Sequence, residues 1–150
     1  MLSSMIIAGA NRQLTMVISH EMIMKTINVT TALVSNLLTA SHSNNDVKKV
    51  LQELDIEATT KTGEALVREL SKKVLERESI KVCLRYLHKS IKHLNFHLEN
   101  LDTELREYEE RYLKWFRYPT VDTHIVEIQQ EYGIMQQRLN MLIKLLQTHP

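Results

Sequence analysis

The chain has 150 residues, 43% of them hydrophobic and 25% charged; these ordinary globular values exclude wholesale disorder and suggest one domain, residues 1–150, with enough apolar material for a core. Nineteen cations against 18 anions leave a net charge of +1, so the molecule as a whole has no electrostatic pull toward nucleic acid or an acidic membrane, and any such binding has to be local. Three glycines and two prolines are too little turn chemistry for a many-stranded sheet, and a lone cysteine cannot close an internal disulfide. The expectation is an all-α protein of a reducing, intracellular compartment, cytoplasm or nucleus, and not a secreted one.

Residues 14–38 (LTMVISHEMIMKTINVTTALVSNLL) are apolar but carry His20, Glu21, Lys25, Asn28 and Asn36. No uncharged run reaches the roughly 18–20 residues of a spanning helix, and the first ten residues lack the positive region of a signal peptide. No transmembrane segment is expected. On a helical wheel residues 12–39 show one apolar face at Met16, Ile23, Ile27, Val34 and Leu38 and another at Ile18, Met22, Val29 and Leu33. That pattern predicts an N-terminal helix buried on two sides. Its β-branched content lowers helix propensity, so a strand, or a helix ordered only by a partner chain, is the alternative. Met5, Met16, Met22 and Met24 add a pliable apolar surface suited to a partner.

After a turn cluster at 41–45, Asp46 is placed to cap a short helix over 46–54, with Val47, Val50, Leu51 and Leu54 on one face. The threonine-rich stretch 55–63 (DIEATTKTG) reads as a loop. From Glu64 no helix breaker occurs before Pro119, which predicts one long helix over 64–117, roughly 80 Å long. Its stripe of Ile80, Leu84, Leu87, Ile91, Leu94, Leu98, Leu101, Leu105, Tyr108, Tyr112 and Trp115 alternates spacings of four and three. After Pro119 the stripe restarts as Val121, Ile125, Ile128, Tyr132, Met135, Leu139, Leu142 and Leu146, predicting a C-terminal helix over 121–147. A turn at 118–120 would fold the two seams together. The fold class expected is therefore all-α, an elongated helical bundle built on an antiparallel coiled-coil hairpin. Counted from that turn, the second helix reaches back only to about residue 88 or 90, and the seam around Leu66 to Leu87 needs cover from the N-terminal helix or another subunit.

Chemistry has little to rest on. His93 and His97 share a helix face, as two metal ligands would, but the glutamate of an HExxH pattern is missing (HLNFH) and no local carboxylate completes the set, so a solvated or rim role is expected. Cys83 sits beside the seam and reads as a structural thiol. Thr60, Lys61, Thr62 and Gly63 lack the glycine spacing of a phosphate loop. The expectation is a non-enzyme with no catalytic residue, cofactor or metal.

Two surfaces invite partners. Arg111, Lys114, Trp115, Phe116, Arg117 and Tyr118 combine aromatic rings with cations at the hairpin tip, the residue types enriched in binding hot spots. Lys81, Arg85, Lys89 and Lys92 form a basic face on the first half of the long helix, whereas its second half carries Glu99, Asp102, Glu104, Glu107, Glu109 and Glu110. Electrostatic pairing that sets helix register is the favoured reading of that segregation. The function expected is a scaffold or adaptor subunit that mediates protein–protein assembly, or self-association, through its heptad helices. The alternatives are a nucleic-acid-associated protein using the basic 81–97 face and a membrane-peripheral protein using the N-terminal apolar segment.

Overall fold

A computed structural model describes residues 2–40, 43–110 and 121–148, with side chains from His20 onward. The described residues form six helices and no strand: α1 (Leu2–Thr39), α2 (Asn45–Leu54), α3 (Ile56–Arg68), α4 (Lys72–Leu75), α5 (Glu78–Glu110) and α6 (Asp122–Thr148). None is long and apolar enough to cross a membrane.

The core is organised by α5. Every seam residue from Ile80 to Leu105 is buried, because a strict alternation of fours and threes keeps one apolar edge in register over the whole helix. On one flank of that edge lies α6, whose own stripe is buried at Ile128, Tyr132, Met135, Leu139 and Leu142. Residue pairs between the two run in opposite order, His93 with Glu131, His97 with Glu127 and Glu104 with His124. His97 and Glu127 are each fifteen positions from residue 112. The pairing is thus centred near 112 and not near 119, so α6 reaches further back along α5 than the sequence count allows. Cys83 Sγ lies 3.7 Å from the Arg138 carbonyl, ten residues before α6 ends.

The other flank is covered by α1. Of the two covers open to the seam, the N-terminal helix supplies it: α1 and α6 bury Leu84 and Leu87 within the chain. One expectation is corrected: from His20 onward α1 is not buried on two sides, since Ile23, Ile27, Thr30, Val34 and Leu37 are buried, whereas Met22 and Val29 are 41% and 43% exposed. The true stripe again alternates fours and threes, but it passes through the polar Thr30. That threonine hid it.

The segment 55–63 is helical and not a loop. Ile56, Thr60, Gly63 and Val67 form one buried edge of α3. Threonine's tendency to bond its own backbone is absorbed inside the helix, where Thr60 and Thr62 hydroxyls donate to the Ile56 and Ala58 carbonyls at 2.6 and 2.8 Å. Burial of Ile56 and Val67 outweighs the weak propensity. His20 Nε2 donates to the Val67 carbonyl at 3.0 Å, and Thr59 Oγ1 meets the Tyr132 hydroxyl at 2.8 Å. These bonds fix α3 between α1 and α6.

Nor is 64–117 one helix. It breaks after Arg68 because Ser71, in an extended conformation (φ −73°, ψ 159°), accepts a hydrogen bond from the Val74 amide and starts α4. A second break follows Leu75 before α5 begins at Glu78. The short second helix is capped by Asn44, whose Oδ1 accepts from the Val47 amide at 2.8 Å, and not by Asp46. Asp55, at φ 55°, makes the left-handed corner between α2 and α3.

Gly133 lies within α6 with open space around its Cα; an added Cβ would meet nothing within 4 Å. Replacing Gly133 by alanine should therefore raise stability by roughly 0.5–1 kcal/mol through helix propensity alone. A urea-unfolding midpoint that moves down, and not up, would contradict this placement.

Candidate interaction surfaces

Three polar bridges spaced seven residues apart on α5 attach α1 to it. His88 Nε2 lies 3.1 Å from Thr26 Oγ1, Asn95 meets Thr30 and the Thr26 carbonyl, and Asp102 accepts from Asn36 Nδ2 at 3.1 Å. Thr26 spends its hydroxyl proton on the Met22 carbonyl at 2.6 Å, so His88 donates from Nε2–H. Asn95 Nδ2 donates to the Thr26 carbonyl at 3.0 Å, and the Thr30 hydroxyl sits between that carbonyl and Asn95 Oδ1. Thr30 and Asn95 are buried, and a buried polar pair of this kind penalises any slip of one helix along the other, because each group would lose its partner.

Outside these bridges the α1–α5 junction opens into a surface groove of about 760 Å³. Arg85, Lys89 and Lys92 of the predicted basic face line it, while Lys81 does not. Lys25 from α1 joins them, a contribution that sequence could not supply, because it depends on where α1 lies. Arg85, Lys89 and Lys92 are exposed neighbours at spacings of four and three, where like charges repel. None of these four cations forms an ion pair among the described residues. Val29 and Phe96 add apolar surface, and Phe96 is 59% exposed.

A second surface was missed by the sequence reading. From Val126 to Met141 the exposed residues of α6 are Val126, Gln129, Gln130, Ile134, Gln136, Gln137, Asn140 and Met141, with no charge among them. Its signal was available in the off-seam positions of the second stripe, which carry glutamine and apolar residues where a solvated face would carry lysine and glutamate.

The remaining candidates divide. Arg111, Lys114, Trp115, Phe116, Arg117 and Tyr118 lie outside the described residues. His93 and His97 do face carboxylates after all, supplied by α6 and invisible in local sequence: His93 Nδ1 is 3.8 Å from Glu131 Oε2, and His97 Nδ1 is 2.9 Å from Glu127 Oε2 without the alignment of a hydrogen bond. Among the described residues no three histidine, cysteine or carboxylate side chains converge as a metal site. Cys83 is buried against α6, and that burial raises its thiol pKa while Arg138 works weakly against it. The buried thiol is therefore held protonated. Burial likewise raises the Tyr132 phenol.

Compared with protein-family models, curated proteins and solved structures, the chain has no significant match.

Burial, and then the charge of Lys92, hold the His88 pKa below its ordinary 6.5. Protonation is thus disfavoured in the fold, so the unfolded chain binds more protons once pH drops below 6.5. His88 should leave stability untouched above that pH and erode it progressively below, until the folded-state midpoint is passed. Proton NMR of the His88 ring should give a midpoint under 6.5, and Lys92→Met should raise it. A midpoint at or above the ordinary value would contradict the half-buried bridge to Thr26.

Proposed function

We propose that the chain is a non-enzymatic structural or adaptor subunit that mediates protein–protein assembly. Its heptad seams fold the chain on itself, in our reading as an antiparallel coiled-coil hairpin over 80–117 and 121–147, and the outward faces of the same helices meet partners. The uncharged outer face of α6 carries this reading. Interface cores are depleted of charge and studded with apolar side chains, whereas solvated helix faces are charged. Val126, Ile134 and Met141 spaced along one exposed side, among glutamines, fit the former.

A photo-crosslinking residue placed at position 134 of the full chain, in its native cell, should capture discrete protein adducts. Met141→Lys in the same chain should abolish them while the helical circular dichroism is unchanged. Adducts no different from those formed at the exposed control position Glu53 would overturn the reading.

A further inference from the structure

The outward side of α5 is a third stripe, and its charges are arranged head against tail. Opposite the buried seam, Arg85, Lys89, Lys92, Phe96, Glu99, Thr103 and Glu107 follow one another at spacings of four and three, all exposed. Everything charged before Phe96 on this stripe is cationic and everything after it is anionic. Phe96, the large apolar ring at the middle, is 59% exposed. Arg85 and Glu107 stand equally far from it, eleven residues on either side.

We propose that this stripe is the interface of a homodimer, in which α5 of a second copy lies antiparallel along it with the two-fold axis at Phe96. The proposal deepens the assembly reading by naming one partner, a second copy of this chain, and it rests on that reading. An isologous contact requires a surface that complements itself under a two-fold rotation, and this one does. With the axis at Phe96 the two rings meet each other, Lys92 falls beside the partner's Glu99, Lys89 faces the partner's Thr103, and Arg85 faces the partner's Glu107. The cationic cluster that is left without an ion pair within the described chain gains carboxylates at two levels, and Glu99, which forms no ion pair among the described residues either, gains a cation. The groove supplies the seat, since Lys25 and Val29 on the α1 rim flank the half that receives the partner's acidic half. The paired stretch runs from Arg85 to Glu107, 23 residues, roughly 33 Å of helix.

A nucleic acid would also answer the cations of the groove, but it would gain nothing from Glu99 and Glu107 on the same stripe and would be repelled by them. Self-complementarity accounts for both halves.

Sedimentation equilibrium of the full chain at low salt, up to roughly 1 mM, tests this with two charge reversals and their mixture. The wild-type mass should rise from 17.5 kDa toward twice that value. Lys92→Glu and Glu99→Lys should each weaken dimerisation at least about tenfold, because each puts two like-charge contacts at the interface. Mixed one to one, the two variants should recover dimerisation, since every 92–99 contact in the mixed dimer again joins opposite charges. A wild-type chain that stays at 17.5 kDa, variants that dimerise as the wild type does, or a mixture no tighter than its components would each overturn the proposal. So would RNA or DNA binding that Lys92→Glu abolishes and Glu99→Lys strengthens in a monomeric chain. Crosslinking at position 134 reads a different helix face, so failure of the dimer and failure of the adaptor reading are separately visible.

Discussion

One apolar edge, the seam of α5 from Ile80 to Leu105, is the surface on which the rest of the molecule depends. It is buried throughout, and two long helices share it, α1 on one flank and α6 on the other. Such an edge is too wide for a single neighbouring helix to close, and a helix with water along half of its leucines would forfeit roughly 25 cal/mol for each Å² left exposed. Each flank is then registered by polar contacts of different kinds. Toward α1 the bridges are neutral or half-neutral and recur every seven residues, at His88, Asn95 and Asp102. Toward α6 they are histidine–glutamate pairs at His93, His97 and Glu104. Hydrophobic burial holds the helices together; these contacts decide how far along each other they sit.

Because core formation consumes the seams, the contacts proposed for α5 and α6 use the sides of those helices that remain. On α5 that side is polarised, basic then acidic about an exposed phenylalanine; on α6 it is uncharged. The two suit different contacts. A polarised stripe selects orientation and register in a partner through charge, at little cost to solubility, since the charges are solvated in the free chain. An uncharged stripe of glutamine, valine, isoleucine and methionine offers apolar area that binding can bury without first desolvating ions. A chain that carries both stripes offers two kinds of contact, one salt-sensitive and one not.

What could be read in the sequence follows from how local each determinant is. The stripes of α5 and α6 are uninterrupted apolar residues, so their buried positions could be named one by one. The stripe of α1 could not, because it passes through Thr30, whose place in the core is secured by Asn95, 65 residues away. For the same reason α3 read as a loop: Thr60 and Thr62 satisfy their hydroxyls on their own helix, Thr59 does so on Tyr132 of α6, and only contact with α1 and α6 buries Ile56 and Val67. The break at Ser71 was in plain view as a capping residue, but no proline or glycine announced it. Lys25 joins the basic face, and Glu127 and Glu131 reach the histidines of α5, by tertiary placement alone. The uncharged face of α6 was legible in its off-seam glutamines and apolar residues, which need no tertiary contact to recognise.

Above all, α1, α5 and α6 should form one cooperative unit, sharing a seam within a single chain. Native-state hydrogen exchange across low denaturant concentrations tests that most directly. The amides of Ile27 to Val34 should open with the same free energy and the same denaturant dependence as those of Leu94 to Leu101 and Ile128 to Met135. Exchange of the α1 amides through a separate, low-energy opening, while α5 and α6 stay protected, would contradict the claim and return the seam of α5 to the search for a partner.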